Sequence, residues 1–243
     1  MKMKKAFPDE YRFFPRTFIM PGEASEFRNQ FTDRHGRAIN RRKTFIVKPD
    51  NLAQGRGIYL SRNCEKIIEQ CTNEGGGWVV QDYLASPHTI EDLKYDLRIY
   101  VLLYGLNPLR IYIHEQGLAR FATEPYEKPR PNNLDNIYCH LTNYAINKMN
   151  DNFKQNNKAA KEEDDYGGYD EEESDDCEEE EEEGHKRSMF AILKILYSQG
   201  GDVDKVMGEI KDIVIKTCIS GQPYMNHTYR VCQPECMDNS MCF

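Results

Sequence analysis

Thr44-Phe-Ile-Val-Lys48-Pro-Asp-Asn-Leu-Ala-Gln54-Gly-Arg-Gly57-Ile-Tyr-Leu60 is the stretch on which the fold turns. Thr44 to Val47 are β-branched or aromatic and Pro49-Asp50 ends the run, which predicts a buried strand with Lys48 at its end. Gly55-Arg56-Gly57 then turns the chain into a second apolar run from Ile58. A strand holds the ammonium in place while a glycine turn lets backbone N–H groups approach an anion closely, so the pair can bind phosphate. It is not a P-loop, because no Gly-Lys-Ser/Thr opens a helix. Standing alone, the segment is better explained as a β-turn beside an exposed lysine.

Downstream, Asn63 to Cys71 has the apolar spacing of a helix, with Asn63 as N-cap and Ile67 and Ile68 facing inward. Asn73 to Gly77 ends it, and Trp78 to Gln81 reads as the next strand. Alternation over Tyr95 to Tyr104 and Leu109 to His114, around Gly105-Leu-Asn-Pro108, predicts a hairpin. Lys94, Asp96 and Arg98 then share one strand face, with Tyr95, Leu97 and Ile99 on the other. Residues 116–150 are loop-rich yet dense in polar groups, and Arg120 sits in an apolar stretch where an arginine calls for an anionic partner. Apolar spacing predicts two further helices over Ser188 to Gln199 and Val203 to Ser220.

Upstream, residues 1–43 alternate aromatics with prolines and basic residues and read as a connecting segment unable to fold alone. Glu162 to Glu183 holds 16 of the 40 acidic residues and no Lys or Arg. Residues 151–187 therefore read as an acidic, disordered insertion. Without the Glu162 to Glu183 run the charge changes from −8 to +8, which suits an acidic partner such as nucleic acid, phosphate or an acidic polypeptide tail. Eight cysteines without a CxxC pair read as reduced thiols rather than a zinc site. No run of 18 apolar residues and no signal-peptide core are present, so the reading is a cytoplasmic protein with no membrane contact.

Lys48-Pro with Gln54-Gly-Arg-Gly-Ile58, Gln81-Asp-Tyr-Leu84, Lys94-Tyr-Asp-Leu-Arg98, Gly117 to Tyr126 and His140-Leu-Thr-Asn-Tyr-Ala-Ile-Asn147 occur in this order. Together they resemble the tubulin tyrosine ligase-like family, and most of all its polyglutamylase branch. The resemblance covers nearly the whole chain outside the acidic insertion. It implies an α+β, ATP-grasp-like fold of mostly antiparallel sheet with flanking helices. On that reading the fold is incomplete, with the nucleotide-binding region over 44–150 and the helical start of the C-terminal lobe over 188–243.

The implied function is an ATP-dependent ligase that adds glutamate to glutamate side chains of tubulin through an acyl-phosphate. In that family pattern Lys48 holds ATP phosphates, and Gln54, Gly55, Arg56, Gly57 and Ile58 close over them. Gln81, Asp82, Tyr83 and Leu84 form the hinge that reads adenine, while Lys94, Asp96, Thr142 and Asn143 meet the nucleotide. Arg98 lies near the transferred phosphate. Arg120 binds the carboxylate of free L-glutamate, with Tyr144 and Lys186 assisting. The resemblance further implies Mg²⁺, tubulin or microtubules bound through acidic tails, a monomer, no nucleic acid, and a place on the cytoskeleton, cilium or basal body. The family's magnesium ligands would lie beyond Phe243, so no metal ligand is assigned. The alternative is a truncated, catalytically inactive nucleotide- or microtubule-binding protein.

Overall fold

The structure, a computed structural model, describes residues 2–33, 35, 37, 43–155 and 184–232. Along the chain the elements are α1 (Lys2–Ala6), β1 (Thr17–Met20), α2 (Ala24–Arg28), a 3-10 turn (Asn29–Phe31), β2 (Phe45–Pro49) and β3 (Tyr59–Ser61). Next come α3 (Cys64–Asn73), β4 (Trp78–Asp82), β5 (Thr89–Ile90), β6 (Leu93–Arg98), β7 (Val101–Leu106), β8 (Leu109–Ile113) and β9 (Leu118–Phe121). The last are α4 (Ile137–His140), α5 (Tyr144–Asn147), β10 (Lys186–Ser188), α6 (Met189–Ser198) and α7 (Val203–Cys232). The chain divides into two compact units, one of Phe14–Asp96 with Arg120–Lys154, the other of Met1–Phe13, Leu97–Ala119 and Gln155–Phe243.

The first of these units is built on an antiparallel sheet in the order β1-β4-β2-β3. Period-two alternation puts Phe45, Val47, Trp78, Val80, Phe18 and Met20 on one face, where all are buried. That face is covered by α2 and α3 through Phe27, Ile67 and Cys71. Phe27 is fully buried, and its ring meets Phe18 at 5.2 Å and Phe45 at 5.0 Å, both edge-on. Burying a side chain of this size contributes about 1.5–3 kcal/mol, and such ring pairs add to it. Residues 1–43 are therefore more than a connection, since β1 and Phe27 complete the sheet and its core.

As expected, Asn63 caps α3, its side chain accepting the Lys66 N–H at 3.0 Å. Asn63→Ala should cost about 1 kcal/mol and Asn63→Ser almost nothing. Denaturant unfolding followed through the fluorescence of Trp78, the one tryptophan of the chain, checks this; equal midpoints for wild type and Asn63→Ala would contradict it.

Strand β6 is flanked by β5 and β9, and Leu93–Asp96 of β6 and Arg120–Phe121 of β9 belong to this unit. Tyr95 stacks on Phe121 at 5.4 Å, and the Ala122 N–H bonds the Lys94 carbonyl at 2.8 Å. The alternation over Tyr95 to Tyr104 predicts one strand, but the chain leaves the strand after Arg98 and starts β7 at Val101. Two sheets with different partners share that stretch, and alternation alone does not register a change of partner.

The other unit carries the β7–β8 hairpin, with an irregularity between Leu103 and Leu106, and α7 packs on it. The Gln222 side-chain amide donates to the Leu106 carbonyl at 2.8 Å, and the Tyr11 hydroxyl donates to the Lys216 carbonyl at 3.0 Å. Helix α7 continues past the expected end at Ser220, through Pro223, to Cys232. Ser188 caps α6 by accepting the Ala191 N–H at 3.1 Å. Most of the acidic insertion read over 151–187 lies outside the described residues, as do Cys177, Cys236, Cys242 and Ser240 to Phe243. Its C-terminal end is ordered structure, since β10 begins at Lys186 and both His185 and Arg187 are buried. Among the described residues no helix is long and apolar enough to cross a membrane, and Cys64, Cys71, Cys139, Cys218 and Cys232 are free thiols.

Candidate functional site

The register that buries Phe45 and Val47 turns Lys48 and Gln81 to the opposite face, because Ile46 pairs with Gln81 and Lys48 with Val79. The Lys48 ammonium donates to Gln81 Oε1 at 3.1 Å. Gln81 Nε2 in turn donates to Thr17 Oγ1 at 2.9 Å, which fixes the amide with its oxygen toward the lysine. Lys48 has no carboxylate partner among the described residues, and burial lowers its pKa.

Lys94, on β6, is the second ammonium. It donates to the His140 carbonyl at 2.8 Å and to the Tyr83 hydroxyl at 3.2 Å, and lies 4.6 Å from the centre of the Tyr83 ring. Tyr83 Oη sits 3.0 Å from His140 Nδ1, and His140 Nε2 sits 3.1 Å from the Asn133 carbonyl. A carbonyl only accepts, so Nε2 carries the imidazole proton and Nδ1 accepts from Tyr83. Burial also lowers the pKa of His140, in keeping with a neutral ring. Burial brings Lys94 down to about 8; Asp96 opposes that drop and the nearby charge of Lys48 adds to it. Two partly buried ammonium groups repelling one another, neither paired with an acid among the described residues, favour an anion between them.

Asp96 and Arg120 form a fork. Arg120 Nε donates to Oδ1 at 2.9 Å and Nη2 to Oδ2 at 2.7 Å, while the Thr142 hydroxyl donates to Oδ2 at 2.9 Å. The sequence reading gave Asp96 to a nucleotide and Arg120 to a carboxylate ligand; the structure makes them partners. An arginine in an apolar stretch does need an anion, and here β6 supplies it.

The glycine turn lies against α5. Gly55 has φ +83°, and a Cβ there would stand 2.7 Å from Ile146 Cδ1 and 2.8 Å from Asn143 Cγ. Gly57 has φ +71° and would meet Pro49 and Leu52. Gln54, itself at φ 63°, accepts from Arg56 Nη2 at 3.2 Å, and the Ile58 N–H closes the turn on the Gly55 carbonyl at 3.3 Å. At the proposed hinge, the N–H groups of Asp82 and Tyr83 are already bonded to the carbonyls of Arg16 and Thr44. Leu84 is exposed.

Sequence reasoning assigned no role to two residues that hold this region together, His140 and Asn147. Asn147 is 1% exposed and makes four bonds: Oδ1 accepts the Thr123 N–H and hydroxyl at 2.9 Å each, and Nδ2 donates to the carbonyls of Leu141 at 2.8 Å and Asn143 at 3.1 Å. The density of amide and hydroxyl groups between aromatics was the available signal, but it could not say which were buried. Tyr144 opens α5 and meets Phe153 edge-on at 5.7 Å. Arg98 and Lys186 belong to the other unit; the Arg98 guanidinium lies 5.9 Å from the Tyr100 ring centre, and Lys186 is half-buried in β10.

Residues 1–169 match the family model of the tubulin-tyrosine ligase family. The chain belongs to that family. Its mixed α+β architecture with antiparallel sheets is the ATP-grasp-like fold of tubulin-tyrosine ligases. Among curated relatives, a Tetrahymena thermophila protein named probable beta-tubulin polyglutamylase is 45% identical over 100% of this chain and 18% of its own length. Tubulin polyglutamylase TTLL7 of Xenopus tropicalis is 38% identical over 100% of this chain and 24% of its own. Tubulin polyglutamylase TTLL13 of Homo sapiens is 36% identical over 99% and 25%. The chain thus spans a quarter or less of the length of these relatives.

Tubulin-tyrosine ligases use ATP, and Lys48, Lys94 and the Gly55 turn suit a polyphosphate. Among the described residues no three His, Cys, Asp or Glu side chains converge. Asp96, the one acid beside Lys94, gives its oxygens to Arg120 and Thr142.

Proposed function

We propose that this chain is the nucleotide-binding part of an ATP-dependent ligase that adds glutamate to glutamate side chains of tubulin. The observation that carries the reading is the pair Lys48 and Lys94, two partly buried ammonium groups that donate to Gln81 and to Tyr83 and the His140 carbonyl, neither in an ion pair among the described residues. The names of the relatives supply the glutamate and the tubulin.

Lys48 and Lys94 hold the phosphates, Gln54 to Ile58 cover them, and Thr142 and Asn143 close the far side from α5. At the hinge, Leu84 is left to read the base with its backbone, since Asp82 and Tyr83 spend their N–H groups within the fold. When bound, ATP supplies the phosphoryl group that activates the acceptor carboxylate. The residues of this chain contribute fixed positive charge where negative charge develops, which is where most of such an acceleration originates. Arg120, with Tyr144, serves the carboxylate of free glutamate. The working location is the cytoskeleton, including cilium or basal body.

A second reading, a nucleotide- or microtubule-binding protein without catalysis, draws on the commitment of Asp96 to Arg120 and Thr142. A graft separates the two. The matching segment of the Xenopus tropicalis relative is replaced by this chain, and transfer of labelled glutamate to tubulin is measured. The ligase reading expects transfer by the graft and its loss with Lys48→Ala. A graft that binds ATP yet transfers nothing would overturn the ligase and leave the second reading.

Nucleotide affinity should also depend on pH. Lys94 in the free protein titrates near 8, below its ordinary 10.5. A bound polyphosphate favours the charged form and raises that value, so affinity is full below pH 8 and falls as the free protein loses the proton. The expected loss is about tenfold between pH 7 and 9. Calorimetric titration of ATP across that range checks it, and a flat profile would contradict it.

A further inference from the structure

We propose that Asp96 is an internal substitute for the carboxylate of the amino-acid ligand: in the free protein it occupies the Arg120 fork that the ligand must take, and so sets how tightly that ligand binds. This rests on the reading of Arg120 as the glutamate-binding residue.

The geometry carries it. Arg120 presents two parallel N–H groups, Nε and Nη2, to two oxygens of one carboxylate at 2.9 and 2.7 Å, the arrangement in which guanidinium recognises a free carboxylate. The Thr142 hydroxyl donates to the same Oδ2 at 2.9 Å, so Asp96 is held from the segment between α4 and α5 as well as by Arg120. The Asp96 and Arg120 side chains are 37% and 28% exposed, open enough for a small ligand to reach the pair. A tethered carboxylate already in contact acts at an effective concentration of at least millimolar, so it outcompetes dilute free glutamate for that fork. Exchange needs a second group to take over Asp96. The Thr142 hydroxyl is already on it, and ribose hydroxyls of a nucleotide held by Lys94, two residues away on the same strand face, are donors of the same kind. Nucleotide binding then weakens the hold of Asp96 on Arg120 and admits the amino acid, which makes binding ordered, and by reciprocity glutamate tightens the nucleotide.

The test is equilibrium binding of labelled L-glutamate to four proteins, wild type, Asp96→Asn, Thr142→Val and Arg120→Ala, each with and without a non-hydrolysable ATP analogue, with circular dichroism confirming the fold. Asp96→Asn should bind glutamate at least tenfold tighter than wild type without nucleotide and gain little more when it is added. Thr142→Val should show a smaller gain in the same direction, and Arg120→Ala should lose binding. Equal or weaker binding by Asp96→Asn, while Arg120→Ala still abolishes it, would overturn the inference and leave the Arg120 reading standing. Undiminished binding by Arg120→Ala would instead remove the reading beneath it. No binding by any of the four, Asp96→Asn included, would also overturn the inference.

Discussion

Replacing Lys48 and Lys94 together by alanine is expected to abolish measurable ATP binding while the chain stays folded. A charge-assisted contact contributes about 1.5–3 kcal/mol, so each single substitution should weaken binding roughly ten- to 150-fold. The double variant should lose slightly more than the sum, because Lys48 is one reason Lys94 titrates low, so each single substitution restores charge to the remaining lysine and the double variant has no such compensation. Lys94→Ala also frees the Tyr83 hydroxyl and the His140 carbonyl from a donor, so it should lower stability where Lys48→Ala, releasing only Gln81, should not. Titration calorimetry with Lys66→Ala, an exposed lysine on α3, as control measures all three. Affinities within twofold of wild type in the double variant would remove the phosphate site.

Asn147→Ala should be the most damaging single change in the unit for stability, at about 3–5 kcal/mol. Four hydrogen bonds disappear from a side chain that is 1% exposed, and the Thr123 N–H and the Leu141 carbonyl lose their partner in a region without water access. Each buried group left unpaired costs about 1–3 kcal/mol. Asn147→Asp should not rescue it: the carboxylate can still accept from Thr123, but it then faces two carbonyls with nothing to donate. Because Thr142 and Asn143 lie in the segment this residue ties down, both variants should lose ATP affinity along with stability. Denaturant unfolding followed by Trp78 fluorescence is the readout, and a loss below about 1 kcal/mol would show that the segment is held by something else.

What the sequence disclosed were the local features. Thr44 to Lys48 carries its strand in β-branched residues, and Asn63 its cap in a side-chain oxygen placed before an apolar spacing. What it withheld depended on distant partners. Strand β1 has four residues and pairs with β4, Thr17 lying opposite Gln81, so nothing near residue 17 announces a sheet. The fork between Asp96 and Arg120 joins residues 24 apart on neighbouring strands, and each alone reads as a residue awaiting a ligand. Asn147 looks like any loop asparagine until Thr123 and the carbonyl of Leu141 close around it. The motif residues Lys48, Gln81, Tyr83, Lys94, Asp96, Thr142 and Asn143 do fall within one unit, whereas Arg98 and Lys186, equally visible in the sequence, fall in the other.

The central claim is that this tubulin-tyrosine ligase chain binds a nucleotide at the face of β2 and β4 turned away from the Phe27 core, together with Lys94 of β6. Hydrogen exchange of the chain with and without ATP tests it most directly. The account predicts added protection at Lys48 to Ile58, at Gln81 to Leu84, at Lys94 to Asp96 and at Leu141 to Asn147, all lost in the Lys48→Ala, Lys94→Ala double variant. Protection confined to Leu97–Ala119 and α7, or no change at any of the four segments at saturating ATP, would contradict it.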